Sequence, residues 1–503
     1  MDESDPSSSN AVSDEQGPGL RRDLGRLQSY ATLIGIFIGA GAFVVTARAG
    51  SEAGPSVFLA YLLMGPILLA TSVAYMVFLS TPLGVRPGGA YIHISRTFGS
   101  YYIGYIAMWM KLIGFLGALA VLAMAFGEYM TFFFPDINQP MTATLCLTVL
   151  YSVSIVGIRY YGWLQLAMTS ILLVSLAVLI IPGLFAVELG NYSPLLPYGW
   201  NGLLTAMATL FFGYAGFETL AQTAGETRDP RSSLPTVFFR GILISIVIYV
   251  LMAFVAFGVV PFKELAASET AMADVASVYL PFGGPTIVAI GALMAFTTSI
   301  NGSILVPSRI LLVFAEDRIL PEFKLLRSAA CVLRNRSTTS SSRLIRGFLL
   351  ILATVFSCLA VAFNLTAISQ RFRTPHVSLI ISFIISVTLI WTGTIDYMLS
   401  IALQGVFILY VIHGAAVIAL PFVRPTLYSK AKTRFCPTLI VLTGLFSMTS
   451  IAWFSRQLFI GNTSAIRLII VWVVIGTLLY AVARWEGKKD GHDYAKRLIE
   501  EWQ

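Results

Sequence analysis

The chain has 503 residues, of which 57% are hydrophobic and only 12% are charged. This charged share is about half of that found in soluble domains, so the composition excludes an ordinary water-soluble protein and predicts one embedded in lipid. The formal net charge of +8 would also fit a nucleic-acid-binding protein, but the positions of the basic residues indicate orientation in a membrane instead.

Hydropathy predicts twelve transmembrane spans, because each crossing needs about 18 to 25 mostly apolar residues. In chain order the spans cover residues 30–49, 57–79, 101–125, 141–157, 163–186, 202–223, 237–260, 284–314, 376–393, 397–420, 437–454 and 465–483.

The basic residues alternate between successive loops. Arg21, Arg22 and Arg26 precede the first span, and others follow the second, fourth, sixth and tenth, whereas the loops between carry one or none. This is the positive-inside distribution. It predicts a multi-pass protein of the cell membrane with both termini in the cytoplasm, and it makes nucleic acid an unsuitable partner. The first twenty residues lack the pattern of a cleaved signal peptide.

Two predicted spans carry small residues at mid-depth, at 39–42 in the first and at 213–216 in the sixth. A break in a helix leaves backbone groups unpaired, which lipid tolerates only where they face protein, water or a solute. Transporters hold their substrates at such breaks. Close packing through small residues, such as Gly35 and Gly39, is the alternative for either segment taken alone.

The five-span interval between the two breaks predicts two halves of five spans, related by inversion, with a site between them near the bilayer midplane. Free N–H groups at half-helix N-termini attract a carboxylate, and free carbonyls at C-termini attract an ammonium. A site with both suits a zwitterion such as an α-amino acid.

Several motifs then carry a family resemblance. Residues 39–43 fit a Gly-x-Gly-x-Phe signature, 216–218 read Gly-Phe-Glu, and 225–231 read Gly-Glu-Thr-Arg-Asp-Pro-Arg. Ser-Arg at 308–309 and Arg-Thr-Pro at 373–375 extend the pattern. Together they resemble helices one, six, eight and nine of the amino acid–polyamine–organocation (APC) superfamily. The resemblance implies an all-α membrane protein with 12 transmembrane helices: a 5+5 inverted repeat with discontinuous helices 1 and 6, plus two C-terminal helices.

The implied division of the chain follows from these positions. It comprises a disordered cytoplasmic tail (1–28), the first repeat (29–186), the second repeat (200–322 and 371–422), an atypical cytoplasmic insertion (323–370), two further helices (434–484) and a C-terminal tail (485–503).

The resemblance also implies a substrate site built mainly from the backbone. Its residues would be Phe37, Ala40, Gly41, Ala42, Phe212, Ala215 and Gly216. The N–H groups of residues 40–42 would meet the substrate carboxylate, and the carbonyls of Phe37, Phe212 and Ala215 its ammonium. The Phe212 ring would cap the site from outside.

Two charged residues lie at bilayer depth, where a charge is costly and therefore a functional candidate. Lys111 is predicted to pair with Glu218, to contact substrate or water, or to be a buried structural cation. Glu218 matches a glutamate linked to proton sensitivity in arginine exchangers of the superfamily, or it caps a half-helix. With Phe212, both are candidates for proton coupling or gating. His413 is predicted to be packed or hydrogen-bonded rather than a proton relay.

One departure from the family pattern concerns the fifth span. Several proton-coupled relatives carry a lysine there, whose ammonium takes the place of a sodium ion; the matching position in this chain is Leu172, and residues 163–186 contain no lysine. Coupling by that route is therefore not expected.

The insertion contains an apolar run at 347–363 with arginines on both sides. Since both flanks belong in the cytoplasm, the run is predicted not to cross the membrane. A re-entrant or interfacial hairpin and a translated intron or frame error are the two explanations, and the return of family-like sequence at Arg371 favours the second.

The predicted function is secondary active transport of amino acids by alternating access, through proton-coupled symport or exchange. A non-transporting amino acid sensor of the same fold is the alternative; a channel would need a continuous polar stripe. No catalytic motif, metal-ligand spacing or cofactor signature occurs. The predicted partners are an amino acid and membrane lipid, with protons and a second copy of the chain left open.

Overall fold

The computed structural model describes residues 20–268, 270–281, 283–321, 374–392, 395–460, 463–489, 491 and 494. In these residues the chain forms α-helices joined by short turns. The helices are α1 (Arg26–Ala40), α2 (Thr46–Ala53), α3 (Val57–Ser80), α4 (Ala90–Phe98), α5 (Tyr101–Met130), α6 (Gln139–Val156), α7 (Ile158–Gly183), α8 (Gly199–Tyr214), α9 (Thr219–Gln222), α10 (Pro230–Val259), α11 (Phe262–Ala267), α12 (Ala271–Tyr279), α13 (Gly284–Glu316), α14 (His376–Thr392), α15 (Ile395–Val423), α16 (Pro425–Ser429), α17 (Pro437–Ile460) and α18 (Thr463–Lys489).

Each of the twelve predicted spans corresponds to one of these helices or to an interrupted pair of them. Within the described residues, nine stretches are long and apolar enough to cross a membrane. The helix α14 has 17 residues and is shorter than these, while α1 and α8 are short because their spans are interrupted. Large apolar side chains such as Val149, Val174 and Leu442 are 53%, 61% and 61% exposed on the outer surface, as expected where the solvent is hydrocarbon.

The interrupted helix α1 lies at the centre of the bundle. It packs against α7, α10 and α13, and α13 in turn packs against α5. The α1 side chains Leu33, Phe37 and Ile38 are fully buried. This central position keeps the broken backbone of α1 away from lipid, which is the condition under which a break can persist.

The N-terminal boundary differs from the prediction of a disordered tail through residue 28. Helix α1 begins at Arg26, and Leu24 before it is buried. The Leu24 N–H donates to the Glu226 carbonyl at 3.0 Å, and its carbonyl accepts from the Arg228 N–H at 2.9 Å. These backbone bonds tie the start of α1 to the loop after α9. The rest of the predicted tail, residues 1–19, and the predicted insertion at 323–370 lie outside the described residues.

Candidate binding site

The first break lies where α1 meets α2. Gly39 has φ 16° and ψ −147°, a non-helical conformation, and a π-helical turn (Gly41–Val45) follows before α2 begins at Thr46. A Cβ atom on Gly39 would lie 1.9 Å from Ser299 Oγ of α13. The glycine is therefore required by close approach to α13, so the packing explanation applies to this residue.

The second break separates α8 from α9. Helix α8 ends at Tyr214, and Gly216 has φ +106°, a conformation that residues with a Cβ rarely adopt. The short helix α9 then starts at Thr219. Both interruptions expected from the sequence are thus present in the structure.

The two breaks face each other. A Cβ atom on Gly41 would lie 2.1 Å from Gly213 Cα, so the two main chains touch at this point. This approach requires glycine at position 41, and a Cβ atom on Gly213 would lie 3.0 Å from Gly41 Cα, a tight contact. Main-chain groups of two broken helices are thereby gathered around one point in the bundle centre.

A tyrosine from a third helix joins the two breaks. The Tyr249 hydroxyl of α10 lies 2.7 Å from the Phe37 carbonyl, 2.9 Å from the Ile38 carbonyl and 3.0 Å from the Gly213 carbonyl. A hydroxyl has one proton to donate, so these three carbonyls keep unused capacity to accept hydrogen bonds. Such a cluster suits an ammonium group. Sequence reasoning missed Tyr249, because a tyrosine inside an apolar helix carries no distinguishing signal.

A cavity of about 60 Å³ adjoins the breaks. Its lining residues are Ile36, Gly41, Gly114, Phe115, Ala118, Leu122, Gly213, Ala215, Gly216, Ser299, Ser303, Leu403 and Val406. Three of the predicted site residues, Gly41, Ala215 and Gly216, are among them. No charged side chain of the described residues lines the cavity, and the hydroxyls of Ser299 and Ser303 are its polar side-chain groups.

The other predicted site residues are placed differently. The Phe37 ring packs against Tyr214 and Phe217, with ring centroids 5.1 Å and 5.8 Å away, and does not line the cavity. Ala42 is fully buried nearby. The side chains of Ala40 and Phe212 lie outside what the structure describes, so the capping role of Phe212 stays a prediction.

Lys111 and Glu218 form an ion pair beside the cavity. Lys111 Nζ lies 3.1 Å from Glu218 Oε1, and both side chains are 0% exposed. The other carboxylate oxygen, Oε2, accepts from the Gly216 N–H at 3.1 Å and from the Tyr410 hydroxyl of α15. The Lys111 ammonium lies 4.8 Å from the ring centroid of Phe115. Since Gly216 and Phe115 both line the cavity, the pair is connected to two of its walls.

The structure shows which of the predicted interactions Lys111 and Glu218 make. Of the three alternatives for Lys111, the ion pair with Glu218 is present. Glu218 precedes α9 but makes no side-chain cap to that helix; its carboxylate instead satisfies an N–H group freed by the second break. A buried ion pair is costly to desolvate, and its worth depends on such additional hydrogen bonds.

A neutral polar network fills the junction of α1, α7 and α13. The Ala31 carbonyl accepts from Thr169 Oγ1 at 3.0 Å and from Gln165 Nε2 at 3.4 Å. Gln165 Oε1 accepts from Asn301 Nδ2 at 2.7 Å. Leu172, the position matching the lysine of some relatives, is fully buried one turn further along α7. The amide of Gln165 and the hydroxyl of Thr169 thus satisfy the Ala31 carbonyl of α1.

Two buried ion pairs lie away from the cavity, and one of them joins the motif residues Glu226 and Arg309. Arg309 of α13 pairs with Glu226 at 2.7 Å, and Arg96 of α4 pairs with Asp317 at 2.9 Å. All four side chains are at most 5% exposed. The two pairs therefore anchor the loop after α9 and the end of α13, and none of the four residues lines the cavity.

The sequence profile of the family described as amino acid permease matches residues 24–478. The chain belongs to the amino acid permease family. The APC resemblance seen in the motifs is thereby confirmed, and the protein is a multi-pass membrane transport protein, not an enzyme.

Individual relatives differ in what their names state. The permease is 29% identical to the chloroplastic cationic amino acid transporter 9 of Arabidopsis thaliana over 63% of its length, and the match spans 59% of that protein. It is 22% identical to the branched-chain amino acid permease BcaP of Bacillus subtilis, with 92% of each chain covered. It is 20% identical to the methylthioribose transporter of the same bacterium, with 92% and 93% covered. Similarity at this level does not define one substrate.

Proposed function

We propose that this permease is a secondary active transporter that moves amino acids across a membrane by alternating access. The observation that carries the proposal is the contact of the two broken helices at Gly41 and Gly213, next to a cavity. Broken helices that meet at a cavity supply free N–H and carbonyl groups together, and a transported zwitterion needs both.

The proposed architecture is the twelve-span arrangement expected from the motifs. Five spans from each half form an inverted repeat, two further helices follow, and both termini lie in the cytoplasm. Rocking of one half against the other would open the cavity to each side in turn. The cavity of about 60 Å³ has room for several water molecules, and this movement would give an amino acid access to it.

The proposed contacts use the backbone of both breaks. The substrate carboxylate is placed at the N–H groups of residues 40–42, where the second half of the first span begins. The ammonium is placed at the Ala215 carbonyl and at the carbonyls around Tyr249, which have acceptor capacity left. Each charged end of the substrate then meets the pole of a half-helix that favours it.

The cavity wall favours a neutral, apolar substrate side chain. Phe115, Ala118, Leu122, Leu403 and Val406 line it. A charged side chain placed against these residues would lose its hydration without gaining a partner, which costs several kcal/mol. Lys111 and Glu218 neutralise each other beside the cavity and leave no net charge for a cationic or an acidic side chain.

The Lys111–Glu218 pair is the proposed element for proton coupling or gating. A proton on Glu218 would weaken its attraction to Lys111, and its bonds to Gly216 and Tyr410 connect that change to the second break and to α15. Proton-coupled symport and exchange both remain within this proposal, with Phe212 as a further gating candidate.

Uptake of labelled amino acids into liposomes that contain the purified permease tests the proposal. We expect saturable uptake of neutral aliphatic amino acids, with weak competition by arginine, lysine, aspartate and glutamate. Comparison of empty with preloaded vesicles, each with and without a pH gradient, separates symport from exchange. Saturable binding without flux would instead identify a sensor of the same fold.

A further inference from the structure

Two histidines from distant parts of the chain meet inside the bundle. His93 of α4 and His413 of α15 are each 1% exposed. His93 Nδ1 lies 3.0 Å from His413 Nε2, and the two rings stack with an interplanar angle of 24°. The sequence favoured a packed or hydrogen-bonded role for His413, and its hydrogen-bond partner is another imidazole. At this distance one ring donates its N–H while the other accepts.

The histidine pair lies next to the Lys111–Glu218 pair. His413 follows Tyr410 by one helical turn, and the Tyr410 hydroxyl donates to Glu218. The Tyr75 ring of α3 lies 4.2 Å from the His413 ring and 5.7 Å from the ring of Phe217, the neighbour of Glu218. The titratable and charged groups around the histidines are Tyr75 from α3, Lys111 from α5, Glu218 from the second break and Tyr410 from α15.

The Tyr75 ring contacts both His413 and Phe217, the residue before Glu218, and its hydroxyl is unpaired within the part of the chain that the structure describes. Although buried, this hydroxyl has no hydrogen-bond partner among the described residues. An unpaired hydroxyl in the interior is costly, and hydroxyl groups pass protons by accepting one and donating another. A second cavity of about 10 Å³, lined by Tyr410, His413, Thr71 and Ser447 among others, is about the size of one water molecule.

The other end of the histidine pair points toward one face of the membrane. His93 belongs to the short helix α4, which also carries Arg96 and follows the loop with Arg86. The proposed topology places these arginines on the cytoplasmic side. The two imidazoles therefore extend from the central ion pair toward the cytoplasm.

We propose that Tyr75, His413 and His93 form a proton relay between Glu218 and the cytoplasmic face. The relay rests on the proposed transport function and specifies its coupling route. Neither Glu218 nor His413 is hydrogen-bonded to the Tyr75 hydroxyl in this conformation, so the transfer takes place when movement of the two halves brings these groups within hydrogen-bond distance. Protonated Glu218 then gives its proton to the Tyr75 hydroxyl, which releases its own to His413 Nδ1. His413 gives its Nε2 proton to His93 Nδ1, and His93 releases its Nε2 proton to water. One proton enters and one leaves, and both imidazoles stay neutral but end as the other tautomer, with the proton on Nδ1. Each ring must return its proton to Nε2, by ring rotation or exchange, before the next transfer.

The test compares two activities of the full-length permease in liposomes. Exchange of substrate between vesicles loaded on both sides at equal pH needs no proton release, because the carrier returns with its proton. Net uptake driven by a pH gradient needs proton release in every cycle. His413→Gln and His93→Gln keep a hydrogen-bonding side chain but remove the relay, and His376→Gln on α14 is the matched control.

We expect His413→Gln and His93→Gln to lower gradient-driven uptake by about 100-fold or more, the size of a lost proton-transfer group, while exchange stays near the wild-type rate. Proportional loss of both activities, or loss of neither, would overturn the relay. Tyr75→Phe removes an unpaired hydroxyl and keeps the ring, so it provides a second test if the histidine variants do not fold. Unchanged gradient-driven uptake by Tyr75→Phe would contradict the relay.

Exchange and gradient-driven uptake by the wild-type protein distinguish failure of the relay from failure of the transport function. Exchange of amino acids without any response to a pH gradient would overturn the relay and leave transport intact. Absence of both exchange and uptake for every amino acid tested would overturn the proposed function itself.

Discussion

Lys111 Nζ lies 3.1 Å from Glu218 Oε1 at a site where both side chains are fully buried. Two opposite charges withdrawn from solvent depend on each other, because the desolvation of either one is repaid only by its partner and its hydrogen bonds. The stability of the second break is therefore expected to depend on both members of the pair.

A double-mutant cycle measures this dependence. Lys111→Met leaves the Glu218 carboxylate without a cation, and we expect destabilisation of about 3–5 kcal/mol. Adding Glu218→Gln removes the uncompensated charge but keeps acceptors for Gly216 and Tyr410, so the double variant should be more stable than Lys111→Met alone. Thermal denaturation in detergent reports the order of stability, with Lys263→Met at an exposed position of α11 as control. Additive losses would show that the two charges act independently.

Glu218→Gln alone tests the role of this carboxyl group in proton sensitivity. Glutamine has similar size but takes up no proton in the working pH range, so we expect the variant to lose the pH dependence of uptake while it still binds substrate. Initial uptake rates across a pH series, at equal pH on both sides, provide the comparison. A profile that matches the wild type would remove Glu218 from the coupling mechanism.

Tyr249→Phe tests the hydroxyl that joins the two breaks. Its loss leaves the carbonyls of Phe37, Ile38 and Gly213 without their shared donor, at a cost of about 1–3 kcal/mol. We expect transport to fall about tenfold, which corresponds to 1.4 kcal/mol, and the melting temperature to fall as well. Tyr160→Phe is the matched control, since Tyr160 is 62% exposed. Equal behaviour of the two variants would mean that Tyr249 is not required at the breaks.

Leu122→Ala tests the assignment of the apolar cavity wall to the substrate side chain. Leu122 lines the cavity from α5, and its truncation enlarges the space available there. We expect preference to shift toward larger aliphatic or aromatic amino acids by about 10–200-fold, the range for one methylene group in an apolar pocket. Competition of unlabelled amino acids against a labelled one measures the shift. An unchanged order of preference would place the substrate side chain elsewhere.

The parts predicted from sequence are those with a local signal. Hydropathy located the spans, and small residues at mid-depth located both breaks, because each effect depends on neighbouring residues. The depth of Lys111 and Glu218 marked them as candidates, since charge in a membrane is costly. The family resemblance, rather than a local signal, named Gly41, Ala215 and Gly216; all three line the cavity, and their contact with a substrate stays a prediction.

The parts that were missed depend on contacts between distant helices. Tyr249, Tyr410 and the partner of His413 are ordinary residues in apolar segments, and tyrosine is common in membrane helices. Their roles arise only when α3, α4, α10 and α15 are packed together. Likewise, the hydrogen bond between Gln165 and Asn301 joins α7 to α13, and no spacing within α7 indicates it.

The central claim is that main-chain groups of the two breaks hold both charged ends of one amino acid. Equilibrium binding of a labelled neutral amino acid to the purified permease is the most direct test. The competitors are unlabelled analogues that lack either the α-carboxylate or the α-ammonium. The same binding is measured for Gly41→Leu and for the control Gly190→Leu, since an added side chain at Gly190 meets open space. The account predicts that neither analogue competes and that Gly41→Leu alone loses binding. Full competition by either analogue, or unchanged affinity of Gly41→Leu, would contradict it.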